Sequence, residues 1–111
     1  MQAPITNSFR GAGYSGLESN VNLQDIFSIG DLITFTGLTN LPHLNGIPFT
    51  IVTGSITQPN TAAFGVGGFT LNVNDSGPSI PYGSETGFIM TYVPPPRVEG
   101  AVAATLTLIN N

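Results

Sequence analysis

His43 is the single histidine of this 111-residue chain, and carboxylates stand at Glu18, Asp25, Asp31, Asp75, Glu85 and Glu99. With the serine and threonine hydroxyls, these are the groups from which acid–base, nucleophilic or metal chemistry would have to be built. Their spacing argues against each. His43 lies in a turn between Leu41 and Leu44 with no carboxylate beside it in sequence, and reads as a loop residue bonded locally or facing solvent. A histidine-based zinc or iron site needs partner ligands that the chain lacks, and zero cysteines exclude thiolate sites and disulfides. A glycosidase needs two carboxylates facing across a cleft with aromatic platforms beside them, and tryptophan is absent. Asp31 follows Gly30 at a strand entrance, where a side-chain cap on backbone N–H groups accounts for it.

Three short motifs invite chemical readings and fail them. Asn72-Val73-Asn74-Asp75-Ser76-Gly77 is oxygen-rich like a calcium loop, but has one charge and no closing glutamate, so a hairpin turn is expected. Gly65-Val66-Gly67-Gly68 runs into the strand-like Phe69 to Val73 instead of a helix, so it is not a phosphate loop. No Gly-x-Ser-x-Gly elbow precedes a helix. The expectation is a protein with no catalytic residue, no cofactor and no metal.

The elements that would position these residues are strands. Ile33 and Phe35 alternate with Thr34 and Thr36; Phe49 and Ile51 with Thr50 and Val52; Phe69, Leu71 and Val73 with Thr70, Asn72 and Asn74. Phe88, Met90 and Tyr92 form a further set, opposite Ile89 and Val93, and Ala101 to Ile109 ends the chain with Val102, Ala104, Leu106 and Leu108 in phase. Turn signals separate them: Leu41-Pro42-His43-Leu44-Asn45-Gly46, Asp75-Ser76-Gly77-Pro78 and Val93-Pro94-Pro95-Pro96-Arg97. Residues 1–24, rich in Gly, Ser, Asn and Gln with apolar residues at no steady period, read as an extended N-terminal arm. The expected fold is all-β: a small antiparallel β barrel or sandwich over residues 25–111, carrying that arm.

Only 7% of residues are charged, against about 25% in an average soluble protein, and Arg10 and Arg97 are the only cations besides the chain terminus. Phosphate neutralisation needs clustered Lys and Arg, so nucleic acid and anionic membrane surfaces are excluded as partners. The first residues show neither a basic segment nor a continuous apolar run, so no signal peptide or spanning helix is read and a cytoplasmic origin is expected. Free monomers protect their sheet edges with charge, lysine above all. A chain without lysine is expected to keep much of its surface covered by other subunits, as a homo-oligomer of three or more copies. The contact residues read from sequence are Ile5, Phe9, Tyr14 and Leu17 on the arm, and Leu106, Leu108 and Ile109 on the last strand. If the arm is detached, removing residues 1–20 leaves the melting temperature of the domain unchanged.

Gly30-Asp31-Leu32-Ile33-Thr34-Phe35-Thr36-Gly37-Leu38, followed by Leu44-Asn45-Gly46-Ile47-Pro48-Phe49-Thr50-Ile51, resembles a small β-barrel module of tailed-bacteriophage structural proteins. That module is itself similar to the barrel of the first catalytic-cysteine half-domain of ubiquitin-activating enzymes. Tyr82-Gly83-Ser84 answers the Tyr-x-Ser-Gly that often closes the unit, so the resemblance covers roughly residues 27–84. Ubiquitin chemistry does not transfer, because the chain has no cysteine. The resemblance implies a non-enzymatic virion protein: a capsid decoration or cement protein on the major capsid protein, or else a tail or head-to-tail accessory on tail subunits. A carbohydrate- or receptor-binding module, with Tyr14, Tyr82 and Tyr92 as stacking surfaces, is the alternative of another class.

Overall fold

A computed structural model describes residues 1–95 of the chain. They form nine strands: β1 (Gln2–Pro4), β2 (Asn7–Arg10), β3 (Tyr14–Glu18), β4 (Leu32–Thr36), β5 (Phe49–Ile51), β6 (Thr61–Phe64), β7 (Thr70–Asn74), β8 (Ile80–Ser84) and β9 (Phe88–Thr91). Short 3-10 turns cover Leu23–Asp25, Pro42–Leu44 and Val66–Gly68, and there is no α-helix among the described residues. All nine strands belong to one sheet, in the order β1-β9-β4-β5-β6-β7-β3-β2-β8. The fold is all-β, as expected, with two differences. β5 and β6 pair in parallel, the crossover being the long loop between them. The ladder is also open, with β1 and β8 as its edges, not a closed barrel.

The chain itself bridges the two ends of that ladder. β1 continues into β2, and β8 into β9, while β1 pairs with β9 and β2 with β8. At the bends the Ile5 N–H donates to the Gly87 carbonyl at 3.0 Å and the Glu85 N–H to the Thr6 carbonyl at 2.8 Å. The sheet is thereby rolled around a single core.

The N-terminal segment is part of that core, which corrects the expectation of a detached arm over residues 1–24. Its backbone is extended, but β2 pairs with β3, and β3 with β7 along five residues. Ile5 and Leu17 are 2% and 0% exposed and pack with Phe27, Ile33, Phe35, Phe49 and Ile89. The segment hid its strands because glycine and serine occupy positions where a period-two pattern needs large apolar residues. Ser8 and Ser15 are such positions: both are fully buried on the core side, paired with Leu17 and Val73, while on the outer side the Phe9 ring fills the space a side chain at Gly16 would take.

Register corrects two further details. β9, apolar on both faces in the sequence and so expected to be buried on both sides or to carry a subunit contact, buries only one of them in the core: Ile89 is buried and Phe88 exposed, because Ile89 pairs with Phe35 on one side and Ala3 on the other, both core residues. β7 begins at Thr70, and Phe69, which ends the preceding 3-10 turn with φ −87° and ψ −5°, is exposed. The Asn45-Gly46 pair sits in a turn with Gly46 at φ +82°, as its turn chemistry predicts. The Asn45 carboxamide accepts from the Leu38 N–H at 2.9 Å and donates to the Leu38 carbonyl at 3.1 Å, closing a longer loop. The strand expected over residues 101–109, with Leu106, Leu108 and Ile109, lies outside the described residues.

Candidate functional site

Two polar networks and one cleft gather the groups that could do chemistry. The first network centres on Asp75, immediately after β7. Its Oδ2 accepts from Ser15 Oγ of β3 at 2.6 Å and lies 2.7 Å from His43 Nε2, in the 3-10 turn after β4. Arg10 of β2 brings Nη1 to 3.4 Å from Oδ1 and donates to the Ser76 carbonyl at 3.3 Å, while its Nε donates to the Pro78 carbonyl at 3.1 Å. The shorter Asp75 contact assigns the Nε2 proton to His43, so Nε2 cannot also accept from the Arg10 nitrogen 3.3 Å away. Burial pushes the Asp75 carboxyl up, but hydrogen bonds from Ser15 and His43 and the charges of His43 and Arg10 hold it below its ordinary range.

These are the residue types of a hydrolytic triad in a different arrangement. The carboxylate sits in the middle and both the hydroxyl and the imidazole bond to it, so the imidazole does not face the Ser15 hydroxyl, which is itself fully buried. What the cluster can do is clamp the β2–β3 hairpin, the His43 turn and the end of β7 together. His43 is an exposed loop residue, in keeping with the solvent-facing reading, but its bond is not local: the fold brings it a carboxylate 32 positions away. Asp75 likewise turns no hairpin, since β7 and β8 pair with different strands, and both its oxygens are engaged within the protein.

The second network is built on Glu85, 6% exposed at the bend between β8 and β9. Its carboxylate accepts from Ser8 Oγ at 2.8 Å, from the backbone N–H groups of Asn40, Leu41 and Thr86 at 3.0 to 3.1 Å, from Thr39 Oγ1 at 3.1 Å, and from the Thr39 N–H. Asn40 adds its own side chain, donating to the Ser8 carbonyl at 3.0 Å. Burial pushes the Glu85 carboxyl up, but the donors from Thr39, Asn40, Ser8 and Thr86 outweigh it and hold it below its ordinary value. Glu85 thus satisfies the otherwise unpaired N–H groups ahead of the Pro42–Leu44 turn. Nothing in the local sequence marks it; the run of N–H groups it caps lies more than forty residues away.

Asp31 is where the sequence placed it, accepting from the Ser28 N–H at 2.9 Å. Of the four arm contacts, Ile5 and Leu17 are sealed in the core, while Phe9 and Tyr14 lie on the outer face as an edge-to-face pair with centroids 5.7 Å apart. The three tyrosines do not form one platform. Tyr82 donates to Glu18 Oε1 at 2.6 Å, and Tyr92 follows β9, its N–H donating to the Leu32 carbonyl. Tyr14 lines an open cleft of about 630 Å³ between the start of β3, the end of β7 and the loop 55–57, together with Ser55, Ile56, Thr57, Asn72, Asn74 and Ser76. No group of three or more metal-ligating side chains occurs among the described residues. Compared with known proteins, the chain matches no family model, no curated protein and no solved structure.

Proposed function

We propose that the chain is a non-enzymatic structural subunit of a tailed-phage virion, in the first place a capsid decoration protein on the major capsid protein, with a tail or head-to-tail accessory as the competing placement. The observation that carries this reading is how the chain divides its labour between inside and outside. The polar groups best suited to chemistry, Asp75, His43, Arg10, Ser15 and Glu85, are spent on holding loops to strands. Large apolar side chains meanwhile stand in water: Val66, Val93, Tyr82, Ile29, Phe69 and Phe88 are all exposed, on a molecule with almost no surface charge to keep copies apart. Such a surface suits a subunit that gains stability by burial against its neighbours. The phage assignment rests on the sequence resemblance over residues 27–84.

Quantitative mass spectrometry of purified virions from the phage or prophage encoding this chain tests the reading. Abundance comparable to the major shell subunit is the expected result. A small fraction of that abundance moves the protein to the tail or neck, and complete absence overturns the virion reading.

A further inference from the structure

We propose that the cleft between β3, β7 and loop 55–57 binds a neutral saccharide. The inference stands on the cleft alone and does not depend on the virion reading. Register places the cleft side chains: Tyr14 pairs with Asn74 across β3 and β7, and Asn72 lies two residues further along the same outer face. Asn74 Nδ2 donates to the Ile56 carbonyl at 2.7 Å, which fixes the loop against the strand and leaves the Asn74 carbonyl oxygen as an acceptor. Asn72 lines the cleft, and among the described residues its carboxamide makes no side-chain hydrogen bond. Thr57 Oγ1 accepts from Ser55 Oγ at 3.1 Å, so its own proton is free to point outward.

This inventory fits vicinal hydroxyls. A carboxamide offers a donor and an acceptor side by side, which is what two adjacent sugar hydroxyls complement, and an aromatic ring takes the apolar C–H face of a pyranose. Tyr14 is positioned beside the cleft by its edge-to-face contact with Phe9 and its close approach to Gly11. A preformed ring costs little ordering on binding. No charged side chain lines the cleft, which argues against phosphates and acidic sugars. A peptide added as a strand is disfavoured because β3 and β7 are each already paired on both sides.

The test is titration of the isotope-labelled chain, followed by amide NMR, with cellohexaose, maltohexaose, xylohexaose and chitohexaose. The expected result is saturable shifts with at least one of them, centred on Tyr14, Asn72, Asn74 and Thr57. Asn72→Ala, on the sheet surface, is expected to weaken that binding about tenfold with the rest of the spectrum unchanged, the size of one lost polar contact. Tyr14→Phe should retain most of it, and Tyr14→Ala should abolish it. No saturable shift with any of the four, shifts centred elsewhere, or equal binding by the Asn72 variant overturns the proposal.

Discussion

Glu85 shows how far a single side chain can organise this molecule. One carboxylate serves donors from Ser8, residues 39–41 and Thr86, so it joins β2, the turn after β4 and the β8–β9 bend at one point. Replacing it with alanine leaves several buried N–H groups without partners and is expected to cost about 3 kcal/mol or more in urea unfolding. Both Glu85 and Asp75 ionise more readily folded than unfolded. Their contribution is therefore complete above the unfolded values of 4.5 and 3.8, and is lost as pH falls through the lower folded values. Denaturant melts between neutral pH and about pH 3 should show stability falling on the acid side, and Glu85→Gln should flatten that fall. An acid limb unchanged in the Gln variant would show that Glu85 is not its source.

At the scale of elements, the bend at Gly87 and the N-terminal strands decide whether the sheet rolls up. Gly87 has φ +110°, and a Cβ there would overlap the Thr36 carbonyl oxygen and the Gly37 backbone. Gly87→Ala combines unfavourable backbone with a clash that no side chain can relieve, and is expected to destabilise by about 2 kcal/mol or more in chemical unfolding. Deleting residues 1–10 removes β1 and β2 together with the buried Ala3 and Ile5. Against a total stability of about 5 to 15 kcal/mol, the loss of three strand pairings, β1 with β9 and β2 with β3 and β8, and of their core contacts should abolish the cooperative thermal transition. A truncated chain melting like the full one would restore the detached-arm expectation.

For the whole molecule, a surface of exposed apolar residues and few charges predicts that association and stability respond to different substitutions. Val66→Ser with Phe69→Ser changes side chains outside the core, so thermal stability of the free chain should stay within about 0.5 kcal/mol of the parent. Incorporation into particles, followed by mass spectrometry of virions, should fall sharply if this end of the molecule is the docking face. Normal incorporation of the double variant would move that face elsewhere.

What the sequence by itself determined is the class of fold and the central strands. Ile33, Phe35, Phe49, Ile51, Leu71 and Val73 alternate with polar residues, and period-two alternation survives any tertiary arrangement that buries one face of a sheet. The poverty of reactive groups was equally plain from composition. Only the tertiary structure decided that residues 2–18 hold the three strands β1 to β3, because their burial comes from neighbours distant in sequence and not from their own hydrophobicity. It also decided the phase of β9, set by partners on both sides, and the convergence of Arg10, Ser15, His43 and Asp75. Separations of tens of residues between those partners carry no periodic signal. Long-range pairing brings them together, and pairing is a property of the rolled sheet as a whole.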